Sequence, residues 1–193
     1  MVQLAFYFDQ SRCSGCFTCV VACKDWHDTP AGSPSWIRIL TIEKGQFPNV
    51  WVGFLPRFCY HCATPACLSA CPSGAITKSK RNNIVVVDKE TCFGLTDCGG
   101  ACKIACPYDA PQFGTEQDAK MEKCDLCLER WEEGKKPVCV EACPMRALDA
   151  GPLEELESRY GEVGGAKRAE DFPCEEMCKP SIIFKAKNGW NPF

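Results

Sequence analysis

The apolar positions of the chain fall in short runs, each long enough for a strand or two turns of helix and none long enough for a large core element. Phe6-Tyr7-Phe8 and Ile84-Val85-Val86-Val87 are strand-sized. Ser35 to Glu43 (SWIRILTIE) and Asn49 to Leu55 (NVWVGFL) read as two strands around the turn Lys44-Gly45-Gln46-Phe47-Pro48. Leu153 to Tyr160 (LEELESRY) reads as a helix that ends at Gly161. Beyond it, Gly164 to Phe193 is polar and extended with one strand-like run, Ser181-Ile182-Ile183-Phe184. A tail of this kind is expected to gain order by wrapping its own chain or another subunit. Every apolar run stops far short of the ~20 residues a bilayer crossing requires, so no membrane span is expected.

Cysteine fills the gaps between these runs. Of eighteen cysteines, sixteen fall into four groups of four. The first, Cys13, Cys16, Cys19 and Cys23, has the spacing C-x2-C-x2-C-x3-C that bacterial ferredoxins wrap around a [4Fe-4S] cluster. The others are Cys59, Cys62, Cys67 and Cys71; Cys92, Cys98, Cys102 and Cys106; and Cys124, Cys127, Cys139 and Cys143. Three of the groups close on Cys-Pro, at Pro72, Pro107 and Pro144. A cubane presents four irons at tetrahedral corners, and each needs one thiolate. One tight loop covers three corners, and in two-cluster ferredoxins the distant fourth cysteine serves the other cluster. The groups are therefore expected to work in pairs. The third group is stretched to C-x5-C-x3-C-x3-C, with three glycines (Gly94, Gly99, Gly100) that can bulge the backbone around a cluster. This group leaves two readings open, four cubanes or three cubanes with zinc or nothing in the third site.

An internal repeat points the same way. Phe6 to Cys13 (FYFDQSRC) lies over Val85 to Cys92 (VVVDKETC), and Ala70 to Ile76 (ACPSGAI) lies over Ala142 to Leu148 (ACPMRAL). The unit is a strand, a cluster loop, a short helix ending in Cys-Pro and a return strand. Such a unit has almost no apolar face of its own and is held by its metal. The expected fold is α+β: two interleaved bacterial ferredoxin-like modules, each of two [4Fe-4S] clusters, with a β-hairpin insertion and an extended C-terminal tail.

Composition narrows the function. The net charge of -3 carries no basic footprint for nucleic acid. No nucleophile-base pair, phosphate-cradling glycine loop or open metal site is visible, so no catalytic residue is expected. The opening MVQLAFYFDQ has no charged or apolar leader and no twin-arginine pair, which argues against a disulfide framework. Zinc favours two separated Cys pairs over a triple run followed by Cys-Pro. His61, between Cys59 and Cys62, is expected to pack on or hydrogen-bond to cluster sulfurs. Lys24, Lys103 and Lys123 stand near the loops, either compensating cluster charge or solvated. The hairpin aromatics Trp36, Phe47, Trp51 and Phe54 exceed what an isolated hairpin buries, so some should cover a cluster or dock a partner. Cys174 and Cys178 form no fifth quartet and read as bystanders or a shared extra metal site.

FDQSRCSGCFTCVVACKDW (Phe8 to Trp26), CYHCATPACLSACPSGAI (Cys59 to Ile76), ACPYDAPQF (Ala105 to Phe113) and KCDLCLERWEEGKKPVCVEACPMRAL (Lys123 to Leu148) together resemble one family. It is the iron-sulfur, four-cluster electron-transfer subunit of dimethyl sulfoxide reductase-like molybdopterin and tungstopterin oxidoreductases. GPLEEL and the late KPSIIFK continue the likeness. The resemblance implies four [4Fe-4S] clusters: Cys13, Cys16, Cys19 with Cys143; Cys124, Cys127, Cys139 with Cys23; Cys59, Cys62, Cys67 with Cys106; and Cys92, Cys98, Cys102 with Cys71. One ferredoxin half would comprise residues 1–34 and 114–150, the other 57–113, with the hairpin at 35–56 and the helix and tail at 151–193. It also implies a large molybdopterin or tungstopterin catalytic partner, and a membrane anchor subunit or soluble carrier beyond. The chain would then be cytoplasmic, or exported folded with a signal-bearing partner. A free-standing polyferredoxin and a structural zinc scaffold are the competing readings.

Overall fold

The structure, a computed structural model, describes residues 2–161 and 175–188. Its first half runs β1 (Leu4–Asp9), α1 (Thr18–Trp26), β2 (Arg38–Gln46), β3 (Asn49–Arg57), α2 (Ala66–Ser69), β4 (Ile76–Lys78) and β5 (Val85–Val87). Next come α3 (Leu95–Cys98), α4 (Ala101–Ala105), β6 (Gln112–Phe113), β7 (Met121–Glu122), α5 (Leu128–Glu132) and α6 (Val138–Glu141). Then follow β8 (Leu148–Pro152), α7 (Leu153–Tyr160), α8 (Glu175–Cys178) and β9 (Ile182–Lys185). Helices α2 to α6 have only four or five residues each. Helices that short do not stand alone in water, so tertiary contacts must hold them.

Among the described residues the largest sheet has three strands in the order β8-β1-β9, with β1 antiparallel to β8 and parallel to β9. Alternation along β1 splits its side chains between two faces. Leu4, Phe6 and Phe8 enter the main apolar core with Phe58, Tyr60, Leu126 and Ile182, while Ala5 and Tyr7 pack with Ile183 and Leu156 of α7. Helix α7 occupies the span read from the sequence; Glu154 and Glu155 lie in its first turn and Arg159 in its last, as the helix dipole favours. The tail strand read at 181–184 forms as β9, so this part of the tail does wrap its own chain. Residues 162–174, which include Cys174, and 189–193 lie outside the described residues.

The sequence repeat recurs as hydrogen bonds. Asp9 N–H donates to Ala147 O at 2.8 Å, and Asp88 N–H donates to Ala75 O at 2.9 Å, joining the same two points of each copy. Each aspartate then turns its carboxylate onto the amide two residues later, Ser11 at 2.9 Å and Glu90 at 3.0 Å.

Strands β2 and β3 form a separate antiparallel ribbon from Arg38↔Arg57 to Gln46↔Asn49. The ladder runs further than the sequence suggests, so the turn shrinks from five residues to Phe47-Pro48. Phe47 at its tip is 92% exposed, whereas the other three aromatics have places. Trp36 Nε1 donates to Glu122 at 3.1 Å, Trp51 Nε1 donates to Asn188 O at 2.9 Å, and the Phe54 ring lies on Gly15. Two small antiparallel pairs, β4–β5 and β6–β7, complete the sheets.

Candidate metal centres

Thiols converge in three cavities, and a fourth set stands within electrostatic reach of one another; each is assembled from distant stretches of sequence. Cys13, Cys16, Cys19 and Cys143 line one cavity. Its other walls are apolar: Phe8 of β1, Leu148 of β8, and Ile39 and Pro56 from the ribbon. The loop turns at Gly15, with φ +69°, where a Cβ would stand 2.4 Å from the Phe54 ring. Only glycine satisfies both demands. Cys16 is exposed and accepts a hydrogen bond from Thr18 Oγ1 at 3.3 Å, which helps lower its thiol pKa.

Cys59, Cys62, Cys67 and Cys106 line a second cavity, together with Tyr60, Tyr108, Lys123 and Cys178. Cys178 reaches this wall because the segment after α8 straps the loop. Thr64 N–H donates to Cys178 O at 3.1 Å, Ala63 N–H to Lys179 O at 2.8 Å, and Ser181 N–H to Tyr60 O at 2.8 Å. A third cavity is lined by Cys71, Cys92, Cys98 and Cys102 with Pro72, Phe113 and Met121. Here the extra residues of the stretched group coil into α3, with Gly94, Gly99 and Gly100 all at positive φ. Cys98 is thereby carried back to Cys92, and its Sγ–H donates to Gly94 O at 3.0 Å.

The fourth set is Cys23, Cys124, Cys127 and Cys139. Cys23 and Cys127 act electrostatically on Cys139, and Cys23 and Cys139 on Cys124. His27 Nε2 lies 3.5 Å from Cys127 Sγ, and its ring packs on Trp36 with centroids 4.2 Å apart.

Burial, then repulsion from neighbouring thiolates, pushes Cys19, Cys23 and Cys67 up to about 12 and Cys102 up to about 11. Ionising buried thiols side by side calls for a cation among them. A cationic core with four soft-ligand sites, set among apolar walls, fits this donor set.

The remaining candidates separate. His61 is buried but does not line the second cavity; its Nδ1 accepts the Val85 N–H at 3.2 Å and lies 3.9 Å from Cys59 Sγ. With Nδ1 accepting, the ring hydrogen sits on Nε2, which has no hydrogen-bond partner among the described residues. His61 thus works mainly on the backbone of β5, and only marginally on sulfur. Lys24 clasps its own loop, donating to Pro30 O, Gly32 O and Pro34 O at 2.7, 2.8 and 2.7 Å. Lys103 faces Asp109 at 3.8 Å on the surface. Lys123 alone of the three is buried. Nothing in the spacing distinguishes it from the other two, or marks His27 and Cys178 as neighbours of thiol sets.

Short helices, cross-paired thiol sets and a doubled strand–loop–strand unit define a ferredoxin-like iron-sulfur protein. Residues 50–153 match the 4Fe-4S dicluster domain family. Over 98% of its length the chain is 41% identical to a component of the anaerobic dimethyl sulfoxide reductase of Escherichia coli K12, 92% of which is covered. It is 36% identical to a component of the sulfite dehydrogenase of Allochromatium vinosum, covering 82% and 72% of the two sequences, and 32% identical to protein NrfC of Escherichia coli K12, covering 94% and 79%. This protein belongs to the family of iron-sulfur electron-transfer subunits of dimethyl sulfoxide reductase-like oxidoreductases. Its cofactors are [4Fe-4S] clusters, and it transfers electrons without itself being the catalytic subunit. Among the described residues no helix is long and apolar enough to cross a membrane.

Proposed function

We propose that the chain holds four [4Fe-4S] clusters and passes single electrons along them to or from a molybdopterin or tungstopterin catalytic subunit. One observation carries this reading: in each of the three cavities, three thiols of one sequence group meet the last thiol of a different group. The ligand sets are then Cys13, Cys16, Cys19, Cys143; Cys59, Cys62, Cys67, Cys106; Cys92, Cys98, Cys102, Cys71; and Cys124, Cys127, Cys139, Cys23. This exchange of fourth ligands is the two-cluster ferredoxin pattern made twice. It supports two interleaved modules, residues 1–34 with 114–150 and residues 57–113, joined by the ribbon at 35–56 and closed by 151–193.

When bound, the clusters supply one-electron relay sites. The protein walls three of the sites largely with apolar side chains and offers peptide N–H groups to cysteine sulfurs, those of Leu126 to Cys124 and of Ala147 to Cys143, which help to set the potentials. The reductase and dehydrogenase relatives are named as one chain or subunit of a larger enzyme, which favours a separate catalytic partner; we read it as large and pterin-bearing, with a membrane anchor or soluble carrier at the far end. The compartment follows that partner: cytoplasmic, or exported already folded. Elemental analysis of the anaerobically purified complex tests the count, about 16 irons in this chain after subtracting those of the partner. About 12 irons with one zinc would overturn the assignment at the third cavity. Replacing Cys71 by alanine should remove iron from the third cavity alone, and an unchanged iron content and spectrum would refute the crossing.

A further inference from the structure

Lys123 is 3% exposed, the most deeply buried ammonium or guanidinium among the described residues. Other buried cationic or anionic groups have opposite charges at hand: Arg130 meets Glu141, and Asp9 meets Lys185 at 3.0 Å. Among the described residues no carboxylate oxygen lies within 4.0 Å of the Lys123 ammonium. Its sequence neighbour Glu122 turns away to Lys89 at 2.6 Å and Trp36 at 3.1 Å. Two peptide carbonyls receive Nζ instead, those of Val85 and of Cys124, the latter at 3.0 Å. A buried charge with dipoles alone for company is expensive, and such charges are ordinarily paired.

The missing anion has a place. Lys123 lines the second cavity, beside Cys59, Cys62, Cys67 and Cys106, and acts electrostatically on Cys67. Its position is fixed from both sides. Val85, whose carbonyl accepts its hydrogen bond, is itself held through its N–H, which donates to His61 Nδ1 at 3.2 Å, and the Cys124 carbonyl belongs to a residue of the fourth thiol set. Four thiolates outweigh the positive charge of an iron-sulfur core, so the filled site is anionic and gains one further negative charge on reduction.

We propose that Lys123 is the counter-charge of the cluster in the second cavity, a positioning residue that raises that cluster's reduction potential and makes it a resting place for the electron. The inference rests on the ligand assignment above. Its test is an anaerobic redox titration of the intact complex, followed by electron paramagnetic resonance, for Lys123→Gln and Lys123→Arg. Gln keeps a donor for the two carbonyls and removes the charge. With iron content unchanged, one midpoint potential should fall, so that at fixed potential the reduced-to-oxidised ratio of that cluster drops at least tenfold, about 59 mV for one electron. Arg should restore it. Midpoints in Lys123→Gln that match the unaltered protein overturn the proposal. If Gln loses that cluster and Arg keeps it, the need for charge is upheld at assembly; loss in both overturns it. The ligand assignment fails separately, if Cys62→Ala leaves iron content and spectrum unchanged.

Discussion

Two regions of this molecule are built on different physics. The β8-β1-β9 sheet with α7 is ordinary protein: all six residues of β1 are buried, and Leu156, Ile183, Phe6 and Phe8 fill the space on its two faces. Around the third cavity the strands pair only in twos, the helices are single turns, and of nine buried core residues three are cysteines and two are alanines. Aliphatic burial yields roughly 25 cal/mol per Å², and the second region has little of it to offer. A metal-bound fold can draw its stability from ligation instead. On the proposed ligand assignment, packing suffices in the first region and ligation makes up the difference in the second.

Removing the iron should have the largest effect and widen the contrast most. After anaerobic chelation, amides from Cys92 to Phe113 should lose hydrogen-exchange protection, while those of β1 and β8 retain more than any other strand pair. Equal loss in both regions would show that the sheet, too, depends on metal. Leu156→Ala attacks the other region. It should cost about 2–5 kcal/mol by emptying a buried site, seen as a lower denaturation midpoint with iron content unchanged. Iron loss in that variant would mean that the two regions are not separable.

The smallest effect concerns Asp149. Burial alone would raise its carboxyl, but hydrogen bonds from Lys136, from Tyr160 at 2.8 Å and from the Ala150 N–H at 2.8 Å hold its pKa below the usual carboxylate value. A depressed folded-state pKa gives stability that is present above the unfolded value of about 3.9 and is lost as pH falls through the folded one. Asp149→Asn should therefore cost about 1 kcal/mol near neutrality, since its partners can turn to water. The difference from the unaltered protein should shrink on acidification. A gap that grows in acid would mean that Asp149 acts by some route other than its charge.

Much of this is legible in the sequence. Helix α7, β9 and the doubled unit around Asp9 and Asp88 follow from local signals: a closing Gly161, an apolar run, a strand followed by aspartate. The hairpin is legible as a pair of strands, but its turn reads too wide because Lys44, Gly45 and Gln46 look like turn residues while the ladder keeps them paired. Burial of single polar side chains is not legible at all. Lys24, Lys103 and Lys123 look alike in sequence, and only long-range placement separates a loop clasp, a surface pair and a buried ammonium. His61 misleads for a related reason. It stands between two thiols in the sequence, yet its positive φ of 45° belongs to a turn that leaves the ring off the cavity wall.

The strap from Cys178 to Ser181 over residues 60–64 has a consequence in time. Synthesis runs from the N-terminus, so Cys59, Cys62 and Cys67 leave the ribosome long before the segment that roofs them, and β1 waits for β8 and β9 from the far end of the sequence. The nascent protein is an open vessel of thiols whose lids are made last. Iron and sulfide therefore have a window in which those thiols are open, before the β9 strand docks.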